Sequence, residues 1–146
     1  MVRSKHNTFV HFGDWQMDSL ALGKFFLPTL QKLATRIPNL RCAVLCTPDG
    51  FNICSLGLSE DQVGKLAALS SSLLSVGAAS VTSLTPEGDS APELEMVTLQ
   101  AGSLQIVGAP ITQGQRRFVL MASAQAPLGA VIVGVKATSA DIAQLL

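Results

Sequence analysis

The strongest constraint on this chain is the run 66–86, which carries no charged side chain. Ser59 followed by Gln62 three residues later is a capping-box pattern, and it predicts a helix from there to about Leu84. The apolar and small residues of this helix leave it without a strongly polar face. A helix of that kind is usually buried on more than one side. One layer of a short chain can cover only one side, so we expect a second subunit to cover the other.

Composition points the same way. The chain has 146 residues, which suits one domain, and only 14% of them are charged, whereas soluble domains typically carry about 25%. So few charges cannot cover the surface of a monomer generously, so either an assembly buries much of the surface or the protein is only modestly soluble. The formal net charge is zero, and this argues against a nucleic-acid partner, which would call for a basic patch.

The three cysteines, Cys42, Cys46 and Cys54, do not suggest a secreted disulfide framework, because their number is odd. Cys42 and Cys46 have the same parity on a predicted strand and should share a face. Neither a C-x2-C zinc pair nor an apolar signal segment is present. We therefore expect a cytoplasmic protein with no metal site and no cofactor. Serines, prolines and glycines interrupt the long uncharged runs, so no membrane span is predicted.

The other elements follow from periodicity and turn chemistry. Helical spacing predicts a helix over 18–37, with Pro28 either kinking it or starting a new helix. The turn Pro48-Asp49-Gly50 joins two apolar strands into a hairpin. Strands are predicted in the order 40–47, 51–56, 94–100, 104–111 and 116–123, the last three as an antiparallel meander.

Two segments are less clear. Residues 1–18 show no sustained period and are predicted to be a flexible N-terminal extension. The segment 127–146 contains AVIVGV, which favours a strand by propensity. Its apolar residues also fit a helical stripe that starts at Pro127. The residues alone leave both alternatives open.

Residues that could support catalysis are scarce. The two histidines, His6 and His11, lie in the predicted extension, and their spacing to Asp14 is loose for a metal site. No glycine-rich phosphate loop of either common type is present. A hydrolytic triad needs a nucleophile, a base and an orienting group, so we do not expect an enzyme.

Three segments carry a family resemblance: the hairpin LRCAVLCTPDGFNICSLG, the small-residue helix LAALSSSLLSVGAASV, and the C-terminal APLGAVIVGVKATSADIAQLL. In this order they resemble the roadblock/dynein light chain family, from about Leu27 to Leu146. Pro127 stands where the family usually has the asparagine of an asparagine-leucine-glycine helix start. The resemblance thus implies that the last segment is a helix.

The resemblance implies an α/β (α+β) fold in the order α-β-β-α-β-β-β-α, forming a roadblock-like domain over 19–146. A five-stranded antiparallel sheet would have the long helix on one face and the N- and C-terminal helices on the other. It also implies a homodimer in which the long helices lie side by side and the middle strands, 94–100, join the two sheets. The dimer-interface residues predicted on this basis are Leu66, Leu69, Ser70, Leu73, Leu74, Val76, Gly77, Val81, Met96 and Thr98.

Members of the family act as scaffolds and regulators, often of small Ras-like GTPases, and none is thought to carry a catalytic centre. The resemblance therefore implies a non-catalytic homodimeric adaptor or regulator whose partner is a small GTPase or another protein. The alternative is a small-molecule-binding sensor domain of related α/β architecture. That alternative predicts an apolar pocket between sheet and helices.

Overall fold

The computed structural model describes residues 9–12 and 15–146, with side chains from Leu20 onward. The elements along these residues are β1 (Phe9–Phe12), β2 (Trp15–Asp18), α1 (Ser19–Leu30), α2 (Lys32–Arg36), β3 (Leu40–Cys46), β4 (Asn52–Leu56), α3 (Glu60–Leu84), β5 (Val97–Ala101), β6 (Leu104–Gln113), β7 (Arg116–Ala124) and α4 (Leu128–Leu145). Strands β4-β3-β7-β6-β5 form one five-stranded antiparallel sheet in that spatial order. The predicted fold class and order of elements are confirmed, with α1 and α2 together forming the first helical segment.

Helix α3 begins as its cap predicts. The backbone N–H of Gln62 donates to Ser59 Oγ at 3.3 Å, and the Ser59 N–H donates to Gln62 Oε1 at 3.1 Å. The helix packs on one face of the sheet over a small core of buried residues, namely Val44, Cys46, Ala67, Leu74, Val119 and Met121. Cys42 lines a groove on this same face, so the prediction that Cys42 and Cys46 share a face is confirmed.

The opposite face holds the larger core, beneath α1, α2 and α4. Phe26 of α1 meets Phe118 of β7 edge to face, with ring centroids 5.2 Å apart, a favoured aromatic geometry. Gly23 brings α1 close to β4, because a Cβ at this position would lie 2.6 Å from the carbonyl oxygen of Ile53. This core therefore contributes most of the buried apolar area that holds the chain together.

The C-terminal segment is a helix, as the family resemblance implied and contrary to its strand propensity. Its β-branched residues Val131, Val135 and Ile142 share one face and are fully buried against the sheet. Their burial along a helical stripe outweighs intrinsic propensity, which is a weak preference. Arg36 Nη2 of α2 donates to Asp141 Oδ2 at 2.8 Å. This hydrogen bond is the main reason that the pKa of Asp141 lies below its usual range.

Several bounds differ from the sequence-based predictions. The first helical segment breaks at Gln31, three residues after Pro28, and Gln31 N still donates to Leu27 O at 2.9 Å. The predicted strand 94–100 begins only at Val97, because Leu94 packs against the α3 core instead of pairing. Strands β6 and β7 extend beyond their predicted C-terminal ends, to Gln113 and Ala124.

Strands β1 and β2 form an antiparallel hairpin of their own, which pairs Phe9 with Asp18 and Phe12 with Trp15. The sequence had no periodic signal for it. The flexibility predicted for residues 1–18 stays a prediction. Residues 1–8, 13 and 14 lie outside the described residues, and so does the hypothetical metal site that involves His6 and Asp14.

Candidate self-association surface

Helix α3 carries apolar side chains that its own chain leaves uncovered. Leu69 is 55% exposed, Val76 is 64% exposed and Leu84 is 84% exposed. They belong to one stripe with spacings of three and four residues, which we call the α3 seam: Leu66, Leu69, Leu73, Val76, Ser80 and Leu84. Residues at such spacings lie side by side on a helix and form the type of stripe by which helices pair.

The opposite flank of α3 is small and polar. Ser75 and Thr82 are exposed there, and Ser71 Oγ donates to the carbonyl oxygen of Pro48 in the β3–β4 turn. The apolar character of the exposed helix surface is therefore concentrated on the α3 seam.

Helices α3 and α4 are long and apolar enough, by length and composition alone, to cross a membrane. The most apolar window of α3 has a mean hydropathy of 1.4, yet only 17% of it is buried. Each helix packs on one face of the sheet. The prediction of no membrane span stays a prediction. An apolar helix with so little cover has the character of an interaction surface.

A groove of about 490 Å³ lies beside the N-terminal half of α3, and we call it the α3 groove. Its walls are apolar, from Leu58, Leu66, Leu104, Ile106 and Met121, and its polar lining comes from Arg41, Cys42, Gly57, Gln62, Ser123 and Gln125. It exists because α3 covers the sheet obliquely. Ala67 lies over Cys46, whose Sγ donates to Ala67 O at 3.6 Å, whereas Gly77 lies against Val97 of the outermost strand.

Strand β5 is the edge of the sheet nearest the C-terminal half of α3. Among the described residues no strand pairs with its outer side, and Thr98 to Ala101 are exposed. An edge strand presents unpaired N–H and C=O groups that can accept another strand. The α3 seam, the α3 groove and β5 thus form one continuous candidate surface.

The ten predicted interface residues fall into three groups. Leu69 and Val76 are exposed on the α3 seam, and four others, Leu66, Leu73, Gly77 and Val81, are partly exposed on α3. Ser70 and Leu74 face the sheet and are only 3% and 7% exposed, so their own chain covers them. A single chain does not test the pairing, and the interface as a whole stays a prediction.

The remaining two, Met96 and Thr98, lie on the other face of the sheet. Thr98 pairs with Val107, which is buried in the larger core, and directly opposed residues share a face. Val97 and Leu99 are the residues on the α3 face, opposite Gly108 and Ile106. Neighbouring residues of a strand point to opposite faces, and the partner contacts predicted for Met96 and Thr98 stay a prediction.

Burial makes two of the three thiols inert. It raises the pKa of Cys46 and of Cys54 from 9.0 to about 12, because a thiolate loses its hydration in an apolar core. Cys42 is partly exposed, and its Sγ lies 3.0 Å from Ser123 Oγ. Among the described residues, no group of three His, Cys, Asp or Glu side chains is placed to hold a metal ion.

We expect a thiol reagent at mildly alkaline pH to label Cys42 in a single folded subunit, whose α3 groove is open, and to label all three cysteines only after denaturation. Burial stabilises the neutral thiols. Their contribution to the free energy of unfolding is therefore complete below pH 9 and is lost as the pH rises toward 12. Mass spectrometry of the labelled protein counts the modified sites, with Cys42→Ser as the control. Rapid native labelling of Cys46 or Cys54 would contradict the buried environment described here.

No protein-family model matches the chain, and no curated protein matches it in sequence. Solved structures do match in three dimensions. A Roadblock/LC7 domain from Streptomyces avermitilis superposes with a TM-score of 0.66 at 23% identity, covering 77% of this chain and 89% of that one. MglB in a tetrameric arrangement gives 0.68 at 18% identity, covering 96% of each chain. MglB from Myxococcus xanthus gives 0.68 at 15% identity, covering 93% and 92%. This chain therefore has the roadblock fold.

Proposed function

We propose that this protein is a homodimer that acts as a non-catalytic adaptor or regulator of a small Ras-like GTPase. The observation that carries the proposal is the uncovered α3 seam, since the large apolar side chains of Leu69, Val76 and Leu84 lie exposed along one stripe of the helix, and contiguous exposed apolar residues are typical of interaction sites. One of the similar structures is described as tetrameric, which supports self-association for this fold.

Symmetry specifies how two copies would meet. Most homodimers have a two-fold axis and use the same patch on both subunits. A two-fold axis perpendicular to the sheet at β5 pairs the two edge strands antiparallel and keeps both copies of α3 on one face. The two helices then run antiparallel and side by side, with their seams facing each other. This arrangement covers the apolar surface of α3 and also pairs the open N–H and C=O groups of the β5 edge.

The GTPase assignment rests on the roadblock fold together with the family resemblance of the sequence. The chemistry of the described side chains supports a regulator without its own active site. Cys46 and Cys54 are buried and protonated, and the nearest polar partner of Cys42 is a serine hydroxyl, which is no general base. The three free thiols suit the reducing cytoplasm, which we propose as the location.

The groove gives the alternative, a small-molecule sensor, one specific observation in its favour. Its volume of about 490 Å³ lies within the usual range of ligand sites, about 300–1,000 Å³. However, Leu66 of the α3 seam forms part of its wall, so pairing of two subunits would cover it. Native mass spectrometry separates the two functions, because a stoichiometric bound metabolite favours the sensor.

The regulatory function is tested with purified small Ras-like GTPases from the source organism, loaded with GDP or with a non-hydrolysable GTP analogue. We expect the dimer to bind one nucleotide state at least about tenfold more tightly than the other, a difference of about 1.4 kcal/mol. We also expect no GTP hydrolysis by this protein alone. Titration calorimetry measures the affinity for each nucleotide state, and a phosphate-release assay measures GTP hydrolysis. Equal affinity for both states, or no binding to any such GTPase, would exclude a nucleotide-dependent regulator.

A further inference from the structure

We propose that the α3 groove of each subunit is filled by the C-terminal end of α3 from a second copy, with the partner's Leu84 as the apolar anchor and Arg41 facing the partner's acidic 87–89 segment. This inference rests on the proposed homodimer and adds a specific occupant to it. Leu84 is the most exposed large apolar residue of the described chain, at 84%. The α3 groove has the apolar walls that such a side chain would contact.

The spacing of the α3 seam supports this register. Leu66 and Leu84 stand at its two ends, about 27 Å apart at about 1.5 Å per residue, and the midpoint between them is position 75. When two antiparallel helices cross at that midpoint, the partner's Leu84 comes level with Leu66. Leu66 lines the groove.

Strand geometry leads to the same place. Helix α3 reaches the edge of its own sheet at Val97, the first residue of β5. Antiparallel pairing of two copies of β5 about their common centre, Leu99, sets Val97 of one copy opposite Ala101 of the other. The helix of one copy therefore crosses onto the other near Ala101, which pairs with Leu104. Leu104 is a wall of the groove, so the incoming helix meets the groove directly.

Charge is complementary as well. Arg41 is the one charged residue among the described residues that line the groove. The segment after α3 carries Glu87 and Asp89, and no lysine or arginine occurs between Lys65 and Arg116. An apolar helix end followed by carboxylates thus matches an apolar groove with a guanidinium at its rim. A small molecule or a different protein in the groove would not require this match.

Cross-linking tests the proposal with a thiol that the groove already contains. Cys42 lines the groove, whereas Cys46 and Cys54 are buried. In the full-length Leu84→Cys variant, a short bismaleimide should join Cys42 of one subunit to the introduced thiol of the other and give a covalent dimer on a denaturing gel. Thr82→Cys, on the opposite flank of the same helix end, is the matched control and should give little product.

The outcomes are distinct. Loss of the covalent dimer when Cys42→Ser is added to Leu84→Cys supports the proposal. Persistence of the cross-link in that double variant would mean that two helix ends lie together, and it would overturn the antiparallel register. A dimeric protein that does not cross-link also overturns it, although the homodimer itself would survive. A mass that is monomeric at every concentration would instead refute the homodimer.

Charge reversal gives a second readout that needs no cross-linker. We expect Arg41→Glu to weaken dimerisation about two- to fivefold, the range of an exposed ion pair. Adding Glu87→Arg and Asp89→Arg should restore the wild-type dissociation constant. Additive weakening in the combined variant would show that these charges do not meet across the interface.

Discussion

The variant that combines Leu69→Asp with Val76→Asp should be a folded monomer. Both side chains lie on the α3 seam and are more than half exposed in a single chain, so carboxylates there are solvated when the subunit is alone. In the proposed dimer the same carboxylates would be buried without partners, which costs several kcal/mol. We expect the dissociation constant to rise by more than about a thousandfold, equivalent to about 4 kcal/mol. Analytical ultracentrifugation over a range of concentrations measures it.

Ser75→Asp is the matched control, because Ser75 is exposed on the opposite flank of the same helix and should leave the dimer intact. Gly77 is a poor site for this test. A Cβ there would lie 2.9 Å from Val97 Cγ2 and 3.0 Å from Leu94 Cδ2, so a side chain would disturb the subunit itself. A wild-type protein that is monomeric at high concentration, or a variant that dimerises as tightly as the wild type, would remove the basis of the proposed function.

Phe118→Ala should be the most destabilising single substitution among those considered. Phe118 is 1% exposed at the centre of the larger core and stacks edge to face on Phe26. Removing a buried phenyl ring typically costs about 3–5 kcal/mol, against a total free energy of unfolding of about 5–15 kcal/mol for a domain. We expect a much lower urea midpoint, measured by circular dichroism at a fixed protein concentration.

The control for this loss is Phe51→Ala, since Phe51 is 56% exposed. The same atoms are removed without leaving a cavity, so the free energy of unfolding should fall by less than about 1 kcal/mol. If Phe118→Ala were no more destabilising than Phe51→Ala, the packing of α1 and α4 on this sheet would be wrong.

Local chemistry made parts of the fold predictable. The Ser59–Gln62 capping box and the uncharged run behind it identified α3 to within one residue at its start, because a cap and a helical period are both encoded by near neighbours. The hairpin turn at Asp49-Gly50 was equally local. The excess of apolar surface on α3 also followed from composition, since a helix without a polar face needs cover from more than one direction.

Long-range packing determined the features that local chemistry did not predict, namely the helix at the C-terminal end and the two faces of β5. The segment 127–146 became a helix because its stripe of Val131, Val135 and Ile142 meets the sheet, although its propensity favoured a strand. The faces of β5 depended on its register with β6, which put Val97 and Leu99 on the α3 side in place of Met96 and Thr98. Alternation along a strand shows that two faces exist, but only the neighbouring strand determines which face meets the helix. Near-neighbour chemistry therefore predicted that α3 has an apolar surface to cover, whereas the positions of the groove and of the open edge followed from how α3, β5 and β6 pack against each other.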